Sequence, residues 1–263
     1  MEPSLKYIWH DSFVLDMKSC TCIFDYWKDP VHNGAFLDTI DRDKPLYVFV
    51  SHHHKDHFTR TIFTWASMFP YIRFIISKDT ARAVHYILKP GSTYKGEYRI
   101  DPSVVTVLRP GEVYEDTVLR ARAFDSTDTG NCYVVEAHGM KVFHAGDLNA
   151  WIWKDESTPG EIRQALVRYG KILDDIADCY KKFDLAMFPV DPRLGRDFWE
   201  GANIFTRRFK VKNFVPMHFC LGGGWAENVR FASLAIDFAR YANPEYGCYC
   251  ALTEPYSVLL LNF

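Results

Sequence analysis

A chain of 263 residues with 48% hydrophobic side chains can bury a sizeable core, and its length suits one large domain spanning residues 1–263. A formal charge of −2 and a pI near 6.5 supply no overall positive field to hold nucleic acid. No segment reaches the ~18 uninterrupted apolar residues that span a bilayer, and the opening MEPSLKYIWHDSF has no apolar signal core, so the expectation is a soluble cytoplasmic protein with no membrane partner.

The first 50 residues read as short strands at 6–10, 12–17, 21–26 and 46–51, the last a continuous apolar run of the kind buried on both faces. Residues 59–69 have helical spacing, 72–77 form a strand, and a helix over 79–88 stops at Pro90. Strand patterns return from Val104 to about Asp147. From Pro159 the apolar positions Ile162, Leu166, Tyr169, Leu173, Ile176 and Tyr180 mark a long amphipathic helix. A strand at 184–190, a helix near 198–209, a strand at 213–219, a helix near 228–241 and a final strand at 257–263 complete the chain. A strand meander with βαβ units, given twice, predicts an α/β four-layer αβ/βα sandwich. The seven cysteines are odd in number, and Cys20-Thr-Cys22 and Cys248-Tyr-Cys250 lie in β-like stretches rather than C-x-x-C knuckles, which predicts reduced core thiols.

Four of ten histidines fall within six positions, in VFVSHHHKDHF (48–58). This stretch, KVFHAGD and NFVPMH share one design: a buried apolar strand ends and a metal-capable side chain follows at once. Such placement holds ligands on rigid elements facing an open cleft, which a catalytic metal needs. The candidate ligands are His52, His54, Asp56, His57, Asp147 and His218. An imidazole and carboxylate set without thiolates suits zinc, iron or manganese. A divalent ion lowers the pKa of bound water towards ~7 and polarises the oxygen of an ester or phosphoester, so hydrolysis needs no serine or cysteine nucleophile. His53, between two proposed ligands, should point away.

Through SHHHKDHF, FHAGDLN and VPMHF the sequence resembles the metallo-β-lactamase-fold hydrolases, within them the stand-alone bacterial lactonase-like members, over almost its whole length. The resemblance implies one or two divalent metal ions, zinc first and manganese or iron as alternatives. His52 and His54 would hold the first ion, Asp56, His57 and His218 the second, with Asp147 bridging and a hydroxide as nucleophile. Asp56 would also orient or accept the proton of the attacking water, and is the candidate catalytic residue. The sequence departs from the family within AFDSTDTGNCY, where another first-site histidine belongs. Ser126 aligns best with it and Asp128 is the nearest residue able to bind metal well; if Asp128 reaches in, the first site leans towards manganese or iron, and if nothing does, that site is weak.

Around this constellation, Trp151 and Arg193 are candidate walls of the substrate cleft, Arg193 able either to clamp an anionic group or to pair with Asp191. His144 and the His10-Asp11-Ser12 turn are candidate supports, and LGGGW (221–225) lacks the ending of a phosphate-binding loop. The expected function is therefore metal-dependent hydrolysis of a small, anionic ester, lactone or phosphoester. A nuclease of the same fold and a non-catalytic metal-binding protein are the alternatives. The absence of a Lys/Arg-rich arm argues against nucleic acid as partner, and two carboxylates facing each other in a buried site argue against an idle scaffold.

Overall fold

The structure is a computed structural model that describes residues 2–89, 98, 100–220, 233–234 and 247–261. Chain order begins with β1 (Ser4–Trp9), β2 (Ser12–Asp16), β3 (Thr21–Phe24), β4 (Leu46–Val50), β5 (Ile72–Ser77), α1 (Lys78–Ala83), α2 (His85–Leu88) and β6 (Val105–Leu108). It continues with β7 (Val113–Glu115), β8 (Arg120–Asp125), β9 (Asn131–Ala137), β10 (Met140–His144), α3 (Pro159–Cys179), β11 (Lys182–Pro189), α4 (Glu200–Arg208), β12 (Lys210–Met217), β13 (Cys248–Tyr249) and β14 (Val258–Leu260). Two seven-stranded sheets result, ordered β14-β1-β2-β3-β4-β5-β6 and β13-β12-β11-β10-β9-β8-β7. Strands β3 to β6 run parallel, as do β10 to β13, and the remaining neighbours pair antiparallel. Both sheets are mixed and flanked by helices, giving the α/β sandwich.

Strand β4 shows why an unbroken apolar run is a strand here. Side chains alternate across a sheet, so Tyr47 and Phe49 enter the core between the sheets while Leu46, Val48 and Val50 enter a second core beneath the helices. The sheets meet through Phe49 against Tyr133, with ring centroids 5.5 Å apart, and through the Tyr133 hydroxyl, which donates to the Val50 carbonyl at 3.0 Å. On the other side, Tyr169, Ile172, Leu173 and Ile176 are the buried stripe of α3, whose start is fixed by a capping box between Thr158 and Glu161.

Several local expectations change. The 59–69 helix is a 3-10 helix over Arg60–Ser67, because Thr64 and Ser67 donate their hydroxyls to carbonyls three residues back, at 2.7 and 2.8 Å, where β-branched neighbours already disfavour an α-helix. The 79–88 helix breaks at Val84, a fully buried β-branched residue at φ −116° and ψ 18°. The 198–209 helix begins later, at Glu200, after a 3-10 turn over Pro192–Asp197. Apart from residues 233 and 234, the helix expected at 228–241 lies outside the described residues, as does LGGGW. All seven cysteines are free thiols, but Cys179 and Cys248 are exposed rather than in the core.

Two glycines let the second sheet close onto the loop that follows β4. Gly130 and Gly146 have φ of +72° and +51°, and a Cβ on Gly146 would sit 2.7 Å from Ser51 Cβ and 2.9 Å from the Asn131 carbonyl oxygen. Gly146→Ala is expected to destabilise the fold by ~1–3 kcal/mol through left-handed strain and this clash, read as a lower urea midpoint. An unchanged midpoint would contradict the close approach.

Candidate metal centre

The site lies where parallel strands end. The ends of β3 (Asp25), β4 (Ser51 to His57), β10 (Asp147), β11 (Asp191) and β12 (His218) meet there, joined by the two-residue turn His10-Asp11 between β1 and β2. Asp147 stands at its centre. One oxygen, Oδ1, lies 3.0 Å from His57 Nε2 and 3.1 Å from His218 Nε2, and the other lies 3.3 Å from His52 Nε2. Burial would push the Asp147 carboxyl up, but His57 and His218 outweigh it and hold the group well below the carboxylate range.

Hydrogen bonds on the far side of each ring decide which nitrogen faces inward. Asp25 Oδ1 accepts the Ser51 N–H at 2.7 Å, and Oδ2 accepts both the Ser51 hydroxyl at 2.5 Å and His57 Nδ1–H at 2.9 Å. Since Ser51 spends its only proton on Asp25, its oxygen must accept from His52 Nδ1, 3.0 Å away. Asp191 takes the Nδ1 proton of His218 at 3.0 Å. All three rings thus turn an Nε2 lone pair towards Asp147 once that nitrogen is deprotonated. Asp25 and Asp191 are both held low: burial pushes them up, but His144 and His57 prevail at Asp25, and His218 and Arg193 at Asp191.

His52 Nε2, His57 Nε2, His218 Nε2 and Asp147 Oδ1 are buried atoms with no hydrogen-bond partner. Orphaned polar atoms that converge are costly unless a further species completes them, and an imidazole and carboxylate donor set fits a divalent metal ion. Donor atoms of His52, His54, Asp128 and Asp147 lie within 4.8 Å of one another, as do those of Asp11, His57, Asp147 and His218, and those of His10, Asp56, His57 and His218. The structure therefore brings together all seven residues read from the sequence as possible ligands: one group around His52, His54 and Asp128, and two overlapping groups around His57 and His218 taken together as the second, with Asp147 common to the first and to one of these and Asp56 entering through the other.

The first group is the more open, with the side chains of His54 and Asp128 46% and 48% exposed and 3.6 Å apart. Asp128, not Ser126, faces His54; the Ser126 hydroxyl accepts the Asp128 N–H at 3.4 Å. His53 points away and bonds Asp79 at 2.8 Å. His144 is fully engaged as a support, donating from Nε2 to the Asp11 carbonyl at 3.2 Å while Nδ1 accepts the Gly146 N–H. Asp25 and Ser51 were not singled out in the sequence, and Asp11 only as part of a supporting turn, although TCIFD and YIWHD repeat the design of an apolar strand followed by a ligand-type side chain.

A cavity of about 300 Å³ opens over both groups, lined among the described residues by Trp151, Trp153, Arg193 and five of the candidate ligands, His54, Asp56, Asp128, Asp147 and His218. Trp151 meets His218 edge to face at 5.5 Å and donates its indole N–H to the Asp147 carbonyl at 2.8 Å. Arg193 lines the cavity and also grips Asp191, its Nε lying 3.0 and 2.9 Å from the two carboxylate oxygens.

A sequence profile of the beta-lactamase superfamily domain matches residues 4–161, and the chain belongs to that family, whose metallo-β-lactamase fold it adopts. No curated protein matches the sequence. Among solved structures, the chain is similar to Igni18, a metallo hydrolase from the archaeon Ignicoccus hospitalis, with 15% identity, all of each chain covered and a TM-score of 0.60. YhfI from Bacillus subtilis, a metallo-β-lactamase-fold protein, shows 10% identity over 98% of this chain and 99% of that one, with a TM-score of 0.61. CmlA, a diiron β-hydroxylase from Streptomyces venezuelae, shows 11% identity and a TM-score of 0.66, with 99% of this chain matching 54% of CmlA.

Two outcomes follow from the rings and their partners. Asp25→Asn should weaken metal binding by ~10–100-fold, because it removes the acceptor that fixes both His52 and His57; competition against a chelating dye measures this, and wild-type affinity in the variant contradicts the role. The second concerns pH. Burial alone would lower His57 and His218, but Asp147 and Asp11 hold both well above 6.5, while burial pushes Asp11 up to about 8. Each folded value lies above its unfolded one, so above ~6.5 the metal-free fold keeps protons that the unfolded chain has lost, and stability falls as pH rises. Melting in a chelator should therefore drop from pH ~6.5 to ~9, and metal binding at neutral pH should release protons, as calorimetry in buffers of differing ionisation heat detects.

Proposed function

We propose that the protein is a metal-dependent hydrolase of a small, anionic ester, lactone or phosphoester. The observation that carries this reading is the convergence of three histidine Nε2 atoms and Asp147 at the base of a cavity of about 300 Å³, a volume suited to a small molecule. His52, His54, Asp128 and Asp147 would hold one divalent ion, and Asp56, His57, His218 and Asp147 a second. When bound, such an ion lowers the pKa of water and polarises the bond to be cleaved.

The remaining work belongs to the chain. Asp25 and Asp191 keep the three imidazoles in the ligating tautomer. Asp56, its side chain 32% exposed on the cavity wall, would take the proton of an attacking water on its carboxylate. Arg193, neutralised in part by Asp191, presents a cation at the cavity wall that favours an anionic substrate. Trp151 and Trp153 supply flat apolar walls that exclude water from its organic portion. Among the described residues no helix is long and apolar enough to cross a bilayer.

Asp128 favours a second reading. A carboxylate where the family supplies a histidine makes the first group oxygen-rich, which suits iron, and CmlA joins a diiron centre to this fold. Oxidation chemistry would then replace hydrolysis, and oxygen consumption by the iron-loaded protein with a reductant distinguishes the two.

For the leading reading, the protein loaded with Zn²⁺, Mn²⁺ or Fe²⁺ should turn over at least one member of a panel of phosphodiesters, phosphomonoesters, lactones and thioesters. Asp147→Ala should lose about a hundredfold or more of that rate while keeping its far-UV circular dichroism. Turnover that survives Asp147→Ala or exhaustive chelation overturns the proposal.

A further inference from the structure

Asp11 is 0% exposed, and neither of its carboxylate oxygens has a hydrogen-bond partner. A lone buried carboxylate is among the most costly groups a fold can hold, so the chain must supply it with a cation or lose stability. No lysine or arginine faces Asp11 among the described residues' ion pairs; the basic atoms around Oδ2 are His57 Nε2 at 3.3 Å, His10 Nε2 at 3.3 Å and His218 Nε2 at 3.8 Å. Two of these are the inward nitrogens of the second group.

His10 differs from them. Its Nδ1 accepts the Cys220 N–H at 3.1 Å, so the proton of the neutral ring sits on Nε2, which then points a donor, not a lone pair, at Asp11 and Asp56. His10 is therefore a positioning residue that faces Asp11 from one side, and the remaining lone pairs of the Asp11 carboxylate face His57, Asp147 and His218. The Asp11 backbone is also held, because His144 donates to the Asp11 carbonyl and the His10 N–H is donated to the Tyr7 hydroxyl at 2.8 Å. The turn thus carries Asp11 to a fixed point against His57, Asp147 and His218.

We propose that Asp11 is a further metal ligand, closing the buried second site with a carboxylate from the β1–β2 turn. This rests on the reading of the centre as one that holds metal, and it adds a consequence for metal choice. With Asp11 the second site would offer five protein donors, Asp11, Asp56, Asp147, His57 and His218, three of them carboxylates, a set that would suit a higher-coordinate Mn²⁺ or Fe²⁺ better than a tetrahedral zinc.

The test uses Asp11→Asn, close in shape and unable to carry the charge, with Asp11→Ser as the second variant. Metal-free, both variants are first shown to fold by far-UV circular dichroism and a single cooperative melt. Titrated with Mn²⁺, wild type should take up two ions per chain by elemental analysis, and the variants should bind the second more than about a hundredfold more weakly. Variants that hold both ions with wild-type affinity overturn the proposal and leave the hydrolase reading standing. A wild type that takes up two ions yet hydrolyses nothing does the reverse, and one that takes up none overturns both. Where neither variant folds, wild type retaining one Co²⁺ after dialysis, which strips the exposed first site before the enclosed second, decides: the weak visible absorption of a high-coordinate ion is expected, and the intense absorption of a tetrahedral one overturns the assignment.

Discussion

The site depends first on the three hydrogen bonds that converge on Asp25. One carboxylate at the end of β3 accepts from the Ser51 backbone, the Ser51 hydroxyl and His57 Nδ1, and through Ser51 it also sets the tautomer of His52. A single negative charge therefore orients one ring from each of the two donor groups. Because the carboxylate is buried, no water competes for its lone pairs, and the rings cannot flip without leaving an unsatisfied acceptor. The loop after β4 is held to the first sheet by this contact and to the second by the Asn131 N–H, donated to the Ser51 carbonyl at 2.9 Å. Loss of Asp25 would leave the loop that carries four histidines held by the second attachment alone.

Four residues of the site, His10, Asp25, Trp151 and His218, have φ between +41° and +67°, the left-handed region that side chains with a Cβ rarely occupy. Such backbone is tolerated where surrounding packing leaves no alternative. Here the packing is dense: Phe24 stacks on His144 at 5.0 Å, and Trp151 is tied to Asp147 by its indole. The strain turns the chain sharply at strand ends, so that side chains which would otherwise continue along the strand axis bend into the crevice between the sheets.

Much of this architecture is legible in sequence because its signals are local. Strand β4 is an uninterrupted apolar run, and the ligand stretches after β4, β10 and β12 repeat one strand-then-ligand pattern. Asp25 and Asp11 follow that same pattern but as single acids outside any cluster, so their partners, 26 and 133 residues away in the case of Ser51 and His144, could not be read from spacing. Asp128 was recognisable as a chemical possibility, whereas its approach to His54 depends on Gly130, which lets the second sheet close onto Ser51. The 3-10 form of Arg60–Ser67 and the break at Val84 escaped for the opposite reason: a helical period survives such changes, while the hydrogen bonds of two hydroxyls and the burial of one valine decide the geometry.

The unequal burial of the two donor groups has a kinetic consequence. His54 and Asp128 lie nearly half exposed at the mouth, whereas His57, His218 and Asp11 are enclosed. An ion in the outer position can shed protein ligands stepwise while water replaces them; one in the inner position meets the cavity only on the side of Asp56, Asp147 and His218, so water can take over fewer of its ligands at a time. Residence times should differ accordingly, the outer ion trading with the surrounding pool and the inner one staying put. The centre then has a resident ion and a visiting one, and the metal that happens to be abundant can set the composition of the outer position without disturbing the inner.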